Sequence, residues 1–149
     1  MKKIICVALV SLFCLTAFAR GKQPVSFAKM PEVLQTEILK NFTEDQVQLI
    51  TSEKTMPRHH KFVFHLADGT KLEYMSIGKK KLKIQFRQIT NPAGIKQEFV
   101  PENIQSYIQE TFPNATITSY EKETMNQTIE LNQDMVLVFN KSGKFIRID

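Results

Sequence analysis

Apolar side chains return every three or four positions at Leu34, Ile38, Leu39 and Phe42, and again at Ile104, Tyr107, Ile108 and Phe112. Each stripe predicts an amphipathic helix. Pro31 and Pro101 precede the stripes and suit a first helical turn, where a missing N–H leaves no bond unmade. Pro113 disfavours helical geometry at Phe112 and closes the second helix. Elsewhere the period shortens to two. Ala115, Ile117 and Ser119 alternate with Thr116, Thr118 and Tyr120, and strands are predicted over 127–131, 135–139 and 144–148. Lys81 to Phe86 alternates in the same way, in a strand extending through Ile89. Asp68-Gly69 between apolar runs predicts a hairpin turn with positive φ, and Asn140-Lys141-Ser142-Gly143 plays that part between the last two strands.

These elements occur twice. Met30-Pro31-Glu32, Ile38, Phe42 and Val47 recur 70 residues later as Val100-Pro101-Glu102, Ile108, Phe112 and Ile117. Leu66, Leu72, Tyr74 and Gly78-Lys79 recur 65 residues later as Leu131, Leu137, Phe139 and Gly143-Lys144. The drift from 70 to 65 predicts a longer connection in the first copy, around Thr55 to His60. The fold class expected is therefore α+β: a tandem repeat of one helix plus about four antiparallel strands, with the helices packed on the sheet. Asn91-Pro92-Ala93-Gly94 reads as the connector. It divides the chain into units at 20–92 and 93–149 that share one compact domain.

The first residues have a different pattern. Lys2 and Lys3, the apolar run Ile4 to Leu15 and the small-x-small triplet Ala17-Phe18-Ala19 read as a signal peptide over 1–19, cleaved after Ala19. The run is short for a membrane span, which takes about 20 residues. Cys14 lies near its end, but Phe13 stands where a lipoprotein signal takes a small residue. Cleavage would remove both cysteines, Cys6 and Cys14, leaving no disulfide, no cysteine–zinc site and no thiol nucleophile. The product is expected in the periplasm or outside the cell, without an integral membrane span.

Loss of Lys2 and Lys3 takes the net charge from +5 to +3. That is mild, and nucleic-acid binders concentrate far more charge on one face. The dense basic run Lys79, Lys80, Lys81 and Lys83 is the candidate partner-binding segment, able to meet an acidic protein, polysaccharide or lipid headgroup. It also reads as a solvated turn.

Other chemistry is thinly represented. His59-His60, beside Arg58 and followed by His65, would have to converge to bind a metal. Adjacent histidines on an extended chain point to opposite faces, and His65 shares a strand face with Val63. Glu121 and Glu123 fall on one side of a strand beside Lys122, a solvent-facing strand end rather than a catalytic pair. Glu44-Asp45 fits a turn after the first helix. No Gly-x-Ser-x-Gly elbow or phosphate-binding glycine loop occurs. No cofactor, metal or catalytic residue is assigned. Phe62, Phe64, Phe86, Phe99, Phe112, Phe139 and Phe145 are the expected aromatic core.

Laid out this way, the chain resembles the PepSY-like family of secreted Bacteroidetes proteins, described as similar in architecture to β-lactamase inhibitory protein. The second copy carries the likeness in Val100-Pro101, Tyr107-Ile108, Phe112-Pro113-Asn114-Ala115-Thr116-Ile117, Ile129-Glu130-Leu131, Leu137-Val138-Phe139 and Ser142-Gly143-Lys144-Phe145. Two departures stand out. Gln133-Asp134 occupies a turn where the family often has Asp-Gly, and Phe145 stands where it often has tryptophan. The resemblance implies tandem helix-plus-sheet repeats in the cell envelope without an established enzymatic role.

The function expected is a non-enzymatic exported binding protein, inhibitor-like, whose partner is a protein or peptide of the cell envelope. A small-molecule or polysaccharide binder with a pocket between helix and sheet is the alternative. An unrecognised hydrolase comes third.

Overall fold

The computed structural model describes residues 21–78 and 83–149. The leader with its cleavage point at Ala19, both cysteines, and Lys79, Lys80 and Lys81 lie outside the described residues. Among the described residues, nine strands form one antiparallel sheet whose spatial order is the chain order. They are β1 (Lys22–Pro24), β2 (Val47–Met56), β3 (His59–Leu66), β4 (Lys71–Ile77), β5 (Lys83–Thr90), β6 (Ile117–Lys122), β7 (Asn126–Leu131), β8 (Met135–Asn140) and β9 (Phe145–Ile148). Helix α1 (Glu32–Leu39) precedes β2, and α2 (Glu102–Thr111) precedes β6. Each repeat thus supplies one helix and a four-stranded meander, with the short β1 added at the edge.

The helices begin alike because their sequences do. Pro31 and Pro101 sit just before the first turn at φ −54° and −55°, and their carbonyls accept the first helical N–H bonds, from Leu34 and Gln35 and from Ile104 and Gln105. The Gln35 amide reaches back to the Met30 carbonyl at 2.9 Å. Its counterpart Gln105 reaches the carbonyls of Val100 at 2.6 Å and Gln97 at 2.8 Å. Leu34, Ile38, Ile104 and Ile108 are buried in a core with Phe64, Leu72, Tyr74, Ile89, Tyr120, Ile129, Leu137 and Phe139. Each such side chain contributes about 1.5–3 kcal/mol by leaving water. All seven expected core phenylalanines belong to this cluster or pack against it.

Three expectations need correction. Leu39 falls in the expected α1 stripe, yet it is 50% exposed; five residues beyond Leu34 is about 140° round a helix. The drift between repeats is not a longer connection. Met56 pairs with His59, so only Pro57 and Arg58 form the turn, with Arg58 at φ 69° after the fixed φ of proline, a type II pattern. The extra residues lengthen the β2–β3 ladder, and His59 and His60 belong to β3 rather than to a loop. Finally, simple alternation fails in β6. A bulge between Ile117 and Ser119 sends Tyr120, 2% exposed, to the core with Ile117.

The turns behave as their residues dictate. Gly69 adopts φ 87° and Gly143 adopts φ 81°. Asp134, the departure from Asp-Gly in the second copy, takes the left-handed conformation at φ 56°, the place Gly69 holds 65 residues earlier.

Between the repeats, β5 meets β6 through three residue pairs, Gln88 with Glu121, Ile89 with Tyr120 and Thr90 with Ser119. Stacked rings extend this join, with Phe42 to Phe99 at 5.9 Å, Phe99 to Phe86 at 5.8 Å and Phe86 to Tyr120 at 5.8 Å. Lys96 bonds the Asn41 carbonyl after α1 at 2.9 Å and lies 4.3 Å from the Phe42 ring centre. At the connector end of the join, buried Asn91 donates to the Thr70 hydroxyl at 3.0 Å and to the Asp68 carbonyl at 3.4 Å.

Candidate functional site

Both helices cover the same face of the sheet. The buried residues Val63 and Val138 belong to strands yet not to the core cluster, because they point the other way. Following the pairing from Val63 gives a row of directly opposed residues across all nine strands: Pro24, Thr51, Val63, Glu73, Gln88, Glu121, Thr128, Val138 and Arg147. Opposed residues in an antiparallel ladder share a face. A second row runs Leu49, His65, Lys71, Thr90, Ser119, Glu130 and Val136. A third holds Lys22, Glu53, Lys61, Met75 and Gln85. This open face is polar, with small side chains sheltered among longer ones: Thr51 is 7% and Ser119 3% exposed.

Its charges are unevenly spread. On the first repeat Lys61 pairs with Glu73 at 3.4 Å. The His65 imidazole is held below its ordinary range, first by burial and then by Lys71 and Lys22, with Glu73 opposing. On the second repeat the Glu121 carboxyl is pushed up by burial and then by Glu123; Arg87 opposes, and Glu73 and Glu130 add to the rise. Burial leads both shifts, and the neighbouring charges that add to them are cationic beside His65 (Lys71 and Lys22) and anionic beside Glu121 (Glu123, Glu73 and Glu130). Where the repeats join, the face sinks into an open trough of about 600 Å³, with Lys71 on one bank, Glu130 and Asp134 on the other, and Gly69, Thr90 and Thr118 in its lining.

The expected site residues distribute as follows. Lys83 opens β5 and is exposed, while Lys79, Lys80 and Lys81 lie outside the described residues. His59 and His65 share the open face but lie about 20 Å apart along β3, and His60 is on the other side. Among the described residues no group of three or more histidine, cysteine, aspartate or glutamate side chains is placed to hold a metal ion. Glu121 is half-buried at the end of β6, and Glu123 is exposed just beyond the strand. Sequence reasoning missed Lys71, Glu73, Glu130 and Asp134. Alternation was the signal for Lys71, Glu73 and Glu130, but it becomes readable only once the register is known, and Asp134 sits in a turn that alternation does not reach.

On the helix side the Tyr120 hydroxyl donates to the Gln127 side-chain oxygen at 2.7 Å, and the Gln127 amide donates to the carbonyls of Asn140 at 3.0 Å and Lys141 at 3.2 Å. Burial pushes the Tyr120 phenol up to about 12. A shallow groove of about 460 Å³ lies beside it, bordered by Phe86, Phe99 and Lys122.

The profile of a family described as "Putative beta-lactamase-inhibitor-like, PepSY-like" matches residues 18–83 and again residues 84–147. This chain belongs to the PepSY-like family. A structure from Bacteroides thetaiotaomicron, described as a "putative calcium-regulated periplasmic protein", is 21% identical and covers 86% of this chain and 96% of that one, with a TM-score of 0.71. Two structures from Bacteroides vulgatus, each described as a "putative periplasmic protein", are 20% and 21% identical with TM-scores of 0.72. Their alignments cover 89% and 87% of this chain and 99% of each of those chains. None of the curated proteins matches the chain. The tandem α+β fold expected of a PepSY-like protein is the fold observed: two repeats that supply, among the described residues, two α-helices and one antiparallel sheet.

Proposed function

We propose that this PepSY-like chain is a non-enzymatic binding protein of the bacterial envelope that holds a protein or peptide on the open face of its sheet. One observation carries the reading: both helices pack on one side, so among the described residues nine strands present an uncovered polar surface about 40 Å wide. A face of that width suits a partner footprint of about 800 Å². The sharpest form of the proposal is an inhibitor of an envelope hydrolase or protease, in line with the family's inhibitor-like description.

The periplasmic descriptions of the structural neighbours support export; removal of the leader after Ala19, and units at 20–92 and 93–149, belong to the same proposal. Among the described residues no helix is long and apolar enough to cross a membrane. Lys79, Lys80, Lys81 and Lys83 would add a basic flank to the binding surface.

Affinity capture of envelope proteins on residues 20–149 tests this, with two variant baits beside the wild type. One carries Lys79, Lys80 and Lys81→Glu, and the other carries Glu121→Lys with Lys61→Glu. A single saturable partner lost with the second variant supports the open face. A partner lost only with the first moves the surface to the basic run. A partner held by all three baits overturns both, as does the absence of any saturable partner.

A further inference from the structure

Over the β5–β6 join the open face sinks into a trough whose two banks carry opposite charge. Lys71 stands on β4 and Glu130 on β7, both exposed and both in the row that continues through Thr90 and Ser119 between them. Three strand spacings separate the banks, about 14 Å. The floor is low because the intervening residues are small. Asp134, held in the left-handed turn conformation after β7, adds a second carboxylate on the Glu130 side. Asn91 fixes the Lys71 side by tying the β3–β4 turn to the connector.

We infer that this trough binds an extended peptide segment of a partner protein, laid across the strands, with an acidic side chain at Lys71 and a basic one at Glu130 and Asp134. This rests on the open-face reading and names the chemistry of its partner. No small ion can touch both banks, and a ligand of one charge meets repulsion at the far one. An extended chain rises about 3.3 Å per residue, so the two charges belong on residues four apart. The trough lies over the β5–β6 join, so each repeat supplies one bank and neither repeat alone makes the site.

The test is fluorescence anisotropy of short peptides, capped at both ends, with the wild-type chain 20–149 in low salt. The probes are Asp-Ser-Ala-Ser-Lys, the same peptide with both charged residues replaced by alanine, and a peptide with Asp and Lys adjacent. The first is expected to bind at least tenfold more tightly than the other two. Lys71→Glu removes the preference for the acid, and Glu130→Lys removes the preference for the base. The double exchange of Lys71→Glu with Glu130→Lys favours Lys-Ser-Ala-Ser-Asp over the original. Unchanged thermal melting shows that the variants fold. Equal affinity for all three probes, no measurable binding, or binding indifferent to both single reversals overturns the inference. An envelope partner that both charge-reversed chains still capture sinks this proposal and leaves the open-face reading standing.

Discussion

Leu34 and Ile38 in the first repeat and Ile104 and Ile108 in the second fill the same positions 70 residues apart, all four buried. On the solvent side of the same helices the likeness ends. Val33, 56% exposed, stands where the second repeat has Asn103, which donates to the Ser142 carbonyl at 2.9 Å. Glu37, in a surface ion pair with Lys40, stands where Tyr107 stacks on Phe145 at 5.0 Å and meets the Phe139 ring edge at 5.5 Å. The second helix is therefore tied to its own last hairpin by an aromatic trio and a hydrogen bond. The first relies on its buried stripe and on Lys96 from across the join. The shared scaffold is held by apolar burial, which constrains both copies equally, and the copies diverge where a side chain can choose between neighbour and water.

The largest effect expected tests the shared part. Leu34→Ala and Ile104→Ala should each cost about 2–5 kcal/mol, within about 1 kcal/mol of one another, by urea unfolding. A large inequality would break the equivalence of the two stripes. The next tests the difference. Tyr107→Ala should cost about 2–3 kcal/mol through lost ring packing, whereas Glu37→Ala should stay within about 0.5 kcal/mol. Comparable losses would mean that α1 is anchored as α2 is. Smaller again, Gln105→Ala should cost about 1–2 kcal/mol for two bonds to carbonyls, against about 1 kcal/mol for Gln35→Ala with one.

The smallest effects concern pH, and they have opposite signs in the two repeats. Glu121 is held above its ordinary 4.5, so in that window the folded chain keeps a proton that the unfolded chain has released. Stability therefore falls as pH rises through the window, and Glu121→Gln should raise the melting temperature above it but not below. His65 is held below its ordinary 6.5. There the unfolded chain binds the extra proton, and stability is lost as pH falls from 6.5. His65→Gln should flatten that loss. Melting curves whose pH dependence neither substitution alters would overturn the burial of these two groups on the sheet face.

How far the sequence could be read follows from the range of each signal. Helical stripes and hairpin turns are local, so Leu34, Ile104, Gly69 and Gly143 could be placed from their neighbours alone. The repeat placed them twice. The open face depends on which residue of one strand lies opposite which residue of the next, and a one-residue slip flips a strand's faces. Bulges beside Glu73–Tyr74, Ile117–Ser119 and Val138–Phe139 each introduce such a slip. Lys71, Thr90, Ser119 and Glu130 therefore could not be seen as one row. The long β2–β3 hairpin was hidden for another reason. Thr55 to His60 is polar and contains a proline, and this reads as a loop until the Arg58 turn shows that both strands simply continue.

Because each strand pairs with its neighbour in the chain, the sheet has consequences for how it assembles. Every hairpin closes a short loop, at small entropic cost. The join of β5 to β6 must instead enclose residues 91–116, for only three residue pairs. We expect the two meanders to form early and meet late, with refolding governed by that last closure. Amides of Gln88 to Thr90 and Ser119 to Glu121 should then gain protection from hydrogen exchange after those of the flanking hairpins. The peptide trough would come into being at that final moment, so a chain with both halves folded but not yet joined would be unable to bind.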